Sequence, residues 1–256
     1  MLKKLANNHM RLPFYIARRY LFAKKSHNII NIISLISLVG VATGVMALVI
    51  VLSVFNGFDS LIARLYSSID SDVRILPVTG KTFSVATAEF DKIRELKGVA
   101  IFSEILEENA LFKYRSKQHI GVIKGVSKNY VDLTGLDSML IDGGFTLWNG
   151  SQPMAIMGQG VAYYLNASLA HFDPLVVYVP KRGKATLSLE SAFGRKNIMP
   201  SGVFAVEQEF DTQYIITPVE FVRNLLAYDS TTVTSVELKV AKGFNPERLK
   251  GEVEKI

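Results

Sequence analysis

The hydrophobic pattern of this chain changes character once. From Ile29 to Phe55 it reads IINIISLISLVGVATGVMALVIVLSVF, 27 residues without a charge. As a helix, such a run is roughly 40 Å long, and a bilayer core needs about 20 apolar residues. A soluble helix packed on one side shows polar residues at helical spacing on the other. This run shows no charged face, so a membrane span is expected and a buried core helix is not. A secretory leader has an apolar region of about 7–15 residues ending at a small-x-small site. The run is longer, and its exit at Leu52-Ser53-Val54-Phe55-Asn56 is a poor cleavage site, so an uncleaved anchor is expected.

Beyond the run the pattern becomes mixed. SLIARLYSSI continues as helix. DVRILPV alternates like a strand. TAEFDKIRELKG has helical spacing and ends at Gly98. ENALFKYRSKQHIGVIKGV predicts a β-hairpin turning near Ser116-Lys117. SKNYVDLTGL predicts a short helix or turn. QPMAIMG is a strand leading into the helix QGVAYYLNASL, and PLVVYVP is a further strand. GVFAVEQEF and TQYIITP read as two strands separated at Asp211. Pro218 opens a helix to about Leu226, and SVELKV is a strand. NPERLKGEVEKI starts a helix, with Asn245 as cap and Pro246 in its first turn. The alternation is irregular, so the expected fold class is an α+β domain preceded by one transmembrane helix. The expected divisions are a basic segment at 1–27, the span at 28–56 and the α+β domain at 57–256.

Charge orients the span. Residues 1–58 hold seven Lys and Arg and no Asp or Glu; the rest holds 22 basic and 23 acidic residues. Arg18, Arg19, Lys24 and Lys25 precede the run, and basic flanks stay in the cytoplasm. The expectation is a cytoplasmic N-terminus and a main domain outside the inner membrane. Arg11, Arg18 and Lys25 share a stripe near Phe14 and Phe22, which suits a helix lying in the headgroup layer or a plain basic tail. The charge balance after residue 58 gives no basic face for nucleic acid.

Within the run, Ser37, Gly40, Gly44 and Ala47 fall on one narrow stripe. Gly40 and Gly44 form a GxxxG. In lipid, small residues let helix backbones approach closely, so this stripe is expected to pack against another helix.

Catalytic patterns fail one by one. The chain has no cysteine, which removes disulfides and thiolate sites. VTGKT resembles the end of a phosphate loop, but Ile75 stands where the first Gly is needed and Pro77 intervenes. MGQGVAY follows a strand, but Tyr163 stands at the third small position of a dinucleotide loop. Gly158 and Gly160 are expected to make a tight turn. His9, His27, His119 and His171 lack metal-ligand spacing. Glu104, Glu107 and Glu108 read as a solvated acidic cluster before a strand. No GxSxG occurs. No catalytic, metal or cofactor site is expected.

FYIARRYLFAKK followed by NIISLISLVGVATGVMALVIVLSVFNGF closely resembles the start of the LolC/LolE-type permeases of lipoprotein-releasing ABC transporters. The matching elements are ISLIS at Ile33–Ser37 and LSVFNGF at Leu52–Phe58. IMGQGVAYYLNASL, LVVYVP and GVFAVEQEFDTQYIITPVEFVRNLL follow in the family's order. The MacB-like and FtsX-like permeases share the architecture. The resemblance implies a permease subunit with one span, a periplasmic domain and three further spans. It would be an inner-membrane protein without ATPase activity of its own, paired with a second permease subunit as a homo- or heterodimer. An ABC ATPase subunit would drive it to pass lipoprotein cargo to a periplasmic lipoprotein chaperone. The chaperone-contact loop of the family falls at Lys181–Pro200, which singles out Phe193, Arg195, Ile198, Met199 and Pro200; an ordinary surface loop is the alternative. The helix from Asn245 would lead into a second span, so the resemblance implies the N-terminal part of such a permease. Efflux or cell-wall hydrolase control by a MacB- or FtsX-like member, and a single-span interaction domain, are the alternative functions.

Overall fold

The computed structural model describes residues 12–13, 15–16, 19, 28–67, 71–180 and 193–256. The chain divides into two compact units, Met1–Ile62 and Ala63–Ile256. The expected basic interfacial stripe falls on Arg11, Phe14, Arg18, Phe22 and Lys25, which lie outside the described residues.

Helix α1 runs through Asn28–Ser67 without a break. Ile32–Asp59 is long and apolar enough to cross a membrane. The stretch SLIARLY extends the same helix, as its pattern predicts.

The second unit is built around β3 (Val99–Tyr114), a strand of 16 residues. A two-residue turn joins it to β4 (Lys117–Val126), with Arg115 at φ 52°. β7 (Gln152–Gly158), β8 (Leu175–Pro180), β9 (Phe193–Phe204) and β10 (Tyr214–Pro218) complete the main strands, with the short β5 (Leu140–Gly143) beside β9 and β6 (Trp148–Asn149) beside β7. Their pairings close on themselves: β3 with β4, β4 with β10, β10 with β7, β7 with β9, β9 with β8, and β8 with β3. The β4–β10 and β7–β9 pairs are parallel and the others antiparallel.

Alternation fills this ring. Leu106, Ala110, Phe112, Tyr114, Ala155, Met157, Leu175, Val177, Val179 and Ile215 form one buried cluster, drawn from alternate positions. Helices α4 (Gln159–Leu165) and α6 (Val219–Leu226) contribute Val161, Leu165, Val222 and Leu225 to it. Burying each such side chain stabilises the fold by about 1.5–3 kcal/mol. The opposite face of the strands carries a second cluster with Ile105, Val126, Ile156 and Ile216. It is covered by Tyr130 of the short helix α3 (Tyr130–Thr134), by Leu136 and by Leu147.

The first half of β3 pairs instead with β12 (Ser235–Val240), and β12 pairs with β1 (Val73–Ile75). With β2 (Phe83–Ser84), β11 (Thr232–Val233) and α2 (Ala88–Glu95) they enclose a third cluster around Ile93, Val233, Val236 and Leu238. Helix α7 (Pro246–Val253) starts as its sequence predicts: Asn245 caps it by accepting the Glu247 N–H at 2.9 Å.

Two predictions need correction. The segment EQEF is not the end of a strand. Gln208–Gln213 form helix α5, so a helix, not a break at Asp211, separates β9 from β10. Glu207 caps α5 by accepting the Phe210 N–H, and Asp211 accepts the Val206 N–H. Glu104, Glu107 and Glu108 do not form a loop before a strand; they lie inside β3.

Candidate functional site

Four strands of the ring present one continuous row of outward side chains. The registers align Ile120 of β4 with Leu111 of β3, Leu111 with Tyr178 of β8, and Tyr178 with Arg195 of β9. The next row aligns Gln118, Lys113, Val176 and Asn197. None of these residues belongs to a buried cluster. Ile120 is 75% exposed, and Leu111, Val176 and Tyr178 are half-buried between neighbouring strands. The Arg195 guanidinium lies 5.7 Å from the Tyr178 ring centroid, a cation–π distance. Within the two rows Lys113 and Arg195 are the charged residues, and no carboxylate offsets them. The face therefore combines apolar side chains with two cations, Lys113 within it on β3 and Arg195 at its β9 edge, a composition that fits a protein surface carrying both apolar and acidic groups.

The residues proposed for chaperone contact divide on this frame. Lys181–Ser191 and Ala192 lie outside the described residues, but 193–200 are strand, not loop. Phe193 is 43% exposed at the start of β9, and Arg195 stands in the outward row. Ile198 points the other way, opposite Leu175, and is 2% exposed in the ring core. Its side chain is unavailable to a partner in this fold. Met199 and Pro200 line a cavity of about 330 Å³ with Met154, Leu169 and Phe172. Phe172 stands there 82% exposed in a left-handed conformation, φ 51°. The sequence reading missed Tyr178, Leu111 and Ile120. The signal was the alternation in LVVYVP, which sends Leu175, Val177 and Val179 inward and Tyr178 outward.

Ser37, Gly40, Gly44 and Ala47 all lie on α1 and are exposed. A Cβ added at Gly40 or Gly44 would meet nothing within 4 Å. The stripe is continuous and has no partner among the described residues.

The polar groups elsewhere hold the fold. Glu104 takes Arg94 and Arg223, each at 2.8 Å, on one face of β3. Glu107, on the other face, takes Lys124 at 3.1 Å and Arg74 at 3.4 Å. Glu108 faces Lys81 at 3.6 Å. Tyr130 beside Lys124 is pushed up to about 12 by burial, against the pull of the Lys124 charge. Gly158 adopts φ −65°, so no turn requires its freedom. It is needed for closeness: an added Cβ would lie 2.2 Å from the Asp211 carbonyl oxygen, and one at Gly160 would lie 2.4 Å from Thr212 Cγ2. The GQG motif seats α5 against α4. No group of three His, Asp or Glu side chains among the described residues could hold a metal.

The lipoprotein-releasing system transmembrane protein LolE of Haemophilus influenzae is 22% identical over 249 residues, covering 94% of this chain and 58% of its own length. LolC of Buchnera aphidicola subsp. Schizaphis graminum is 22% identical over 231 residues, 90% of this chain and 56% of its own. The chain thus spans a little over half the length of these relatives. The crystal structure of the periplasmic region of MacB from Actinobacillus actinomycetemcomitans shares 11% identity over 72% of this chain and 73% of that one, with a TM-score of 0.48. The MacB-like periplasmic core domain family matches residues 34–256, most of α1 and the whole α+β unit, and the chain belongs to that family.

Proposed function

We propose that this chain is part of an inner-membrane permease subunit of an ABC transporter that releases lipoproteins toward a periplasmic chaperone. The observation that carries the reading is the similarity to LolE over 94% of the chain, beside a MacB-like periplasmic core domain match over residues 34–256. α1 spans the membrane with the basic N-terminus in the cytoplasm, and the α+β unit lies in the periplasm. The Ser37–Ala47 stripe packs against helices of the same or a second permease subunit. ATP hydrolysis belongs to a separate ATPase subunit, as the resemblance to the LolC/LolE-type permeases implies. The Ile120–Leu111–Tyr178–Arg195 row, with Phe193 at its edge, is the face offered to the chaperone.

Depleting the full-length gene product tests this directly. Lipoproteins should accumulate in the inner membrane; normal sorting to the outer membrane sinks the reading. The MacB-like character of the domain supports a second reading, force transmission for efflux or for a cell-wall hydrolase. Copurification separates the two: a lipoprotein chaperone as stable partner supports the first, an efflux adaptor or hydrolase activator the second.

A further inference from the structure

The groove between α4 and α5 has a composition that the outward sheet row does not use. It holds about 470 Å³. Tyr163 and Tyr164 line one side, and Glu207, Gln208 and Asp211 line the other. Among the described residues no lysine or arginine lines it. Tyr164 is fixed: its ring stacks on His119, with centroids 5.0 Å apart and planes at 9°. His119 is fixed in turn, its Nε2 lying 2.7 Å from the Thr212 carbonyl oxygen. Tyr163 meets Tyr164 edge-on at 5.8 Å and stands 81% exposed. One ring is thus anchored and the next presents its face to solvent. A tyrosine face attracts an ammonium or guanidinium within about 6 Å of its centroid.

Among the described residues the acidic side of the groove has no counter-ion, and the Glu207 carboxylate accepts the Phe210 N–H at 3.4 Å. Asp211 is only 7% exposed, and its oxygens accept the Val206 N–H at 2.9 and 3.0 Å. Among the described residues neither Asp211 nor Glu207 takes part in an ion pair. Burial, and then the neighbouring Glu207 charge, push the Asp211 carboxyl above the usual range against the pull of the Val206 N–H. A buried carboxylate without a cation is unfavourable, and an arriving cation offsets that cost.

We propose that this groove receives a lysine or arginine side chain of a partner polypeptide, held between the Tyr163 face and the carboxylates of Glu207 and Asp211. The described lining disfavours the other ligand classes: an anion would meet two carboxylates and no basic group among these residues, and an acyl chain would bury two carboxylates and two amides. The inference stands apart from the transport reading, because it rests on the groove alone.

The test uses the full chain in detergent micelles, labelled with 3-fluorotyrosine. Tyr163→Phe and Tyr164→Phe assign the two resonances. Tetralysine peptide should shift both, tetraglutamate neither, and Asp211→Asn should weaken the tetralysine response about fivefold or more. Asn keeps the acceptor for the Val206 N–H, which protects the start of α5. Tyr163→Ala removes an exposed ring without touching the core, and should abolish the shift at Tyr164. No response to millimolar tetralysine overturns the proposal. So does an unchanged response in both variants. Phosphoethanolamine binding as tightly as tetralysine would assign the groove to a lipid amine and overturn the polypeptide reading.

Discussion

Lys124 and Glu237 meet at 3.0 Å inside the sheet, with side chains only 6% and 4% exposed. Lys124 also takes Glu107 at 3.1 Å, and Arg74 approaches Glu237 at 3.8 Å from the edge strand β1. Two cations and two carboxylates therefore balance across β4, β3, β12 and β1. Burial alone would push the Lys124 ammonium down, but Tyr130, Glu237 and Glu107 hold it above its ordinary value. A lysine raised in this way contributes stability at every pH below its unfolded value of about 10.4, and loses it only as pH rises further. The cluster is a fixed brace in the neutral range.

Removing one member of the brace should cost more than removing two. Lys124→Met leaves Glu237 and Glu107 buried with Arg74 alone, and the expected loss is about 3–5 kcal/mol. Adding Glu237→Gln to that variant should restore part of it, giving a coupling above about 1 kcal/mol. Urea unfolding followed by Trp148, the single tryptophan, reports both. Additive losses would show that the two charges act independently.

Glycine positions in this fold divide into two groups with opposite predictions. A Cβ at Gly121 would lie 2.3 Å from the Gln213 carbonyl oxygen, and one at Gly158 2.2 Å from that of Asp211. Both neighbours are backbone, which yields less than a side-chain tip. Gly121→Ala and Gly158→Ala should each destabilise by about 1–3 kcal/mol or more. Gly251 lies inside α7 with nothing within 4 Å of its Cβ position. Gly251→Ala should stabilise by about 0.5–1 kcal/mol. Thermal melts of the three variants measure the sign directly, and a stabilised Gly158→Ala would refute the close-approach account.

The local signals were legible and the distant ones were not. α1 announced itself by an uncharged run, the hairpin by alternation around a turn expected near Ser116-Lys117 and found one residue earlier, and α7 by Asn245-Pro246. Each depends on residues within a few positions of one another. Helix α5 has six residues, fewer than two helical turns and too few to repeat the period, so EQEF read as the tail of a strand. The acidic residues of β3 looked solvated because their partners Arg74, Lys124 and Arg223 come from three different elements. Closure of the ring requires β8 to pair with both β3 and β9, a relation that no local pattern carries. The outward row has the same origin: Ile120, Leu111, Tyr178 and Arg195 become neighbours only through those registers.

The loop from Asp229 to Thr232 has a carboxylate held by local donors. Asp229 Oδ1 accepts the Thr231 N–H at 2.8 Å, the Thr231 hydroxyl at 2.7 Å and the Thr232 hydroxyl at 2.9 Å. The Thr231 hydroxyl, then the Thr231 N–H, bring the carboxyl down to about 2. A depressed carboxylate contributes stability above its unfolded value of about 3.9, and that contribution is lost as pH falls toward 2. Carbon-detected titration should show Asp229 ionised at pH 3. Thr231→Val should move its midpoint back toward the ordinary range. An ordinary midpoint in the unmodified chain would sink the assignment.

The α1 stripe makes a prediction that the α+β unit should not feel. Gly40 and Gly44 have no described residue within 4 Å of an added Cβ, so the stripe has room for larger side chains among the described residues. Gly40→Ile with Gly44→Ile should leave the unfolding of the α+β unit unchanged. It should weaken association with partner helices, because close backbone approach is lost. Cysteine crosslinking at neighbouring helix positions in membranes reads this, and undiminished crosslinking would remove the stripe from the interface.

β9 offers the sharpest separation of binding from folding, because its alternation places the two roles on adjacent residues. Ile198 faces the ring core, and Ile198→Ala should cost about 2–5 kcal/mol of stability. Arg195 faces outward beside Tyr178, and Arg195→Glu should change stability by less than about 0.5 kcal/mol. If the row meets an acidic partner, the charge reversal should slow association and strengthen its response to salt. Tyr178→Ala should instead speed dissociation by removing apolar contact. The full-length protein held on a surface and titrated with the lipoprotein chaperone of the proposed function measures both rates. Loss of binding in Ile198→Ala at a temperature where the fold is intact, with Arg195→Glu and Tyr178→Ala unaffected, would place the contact elsewhere on the domain.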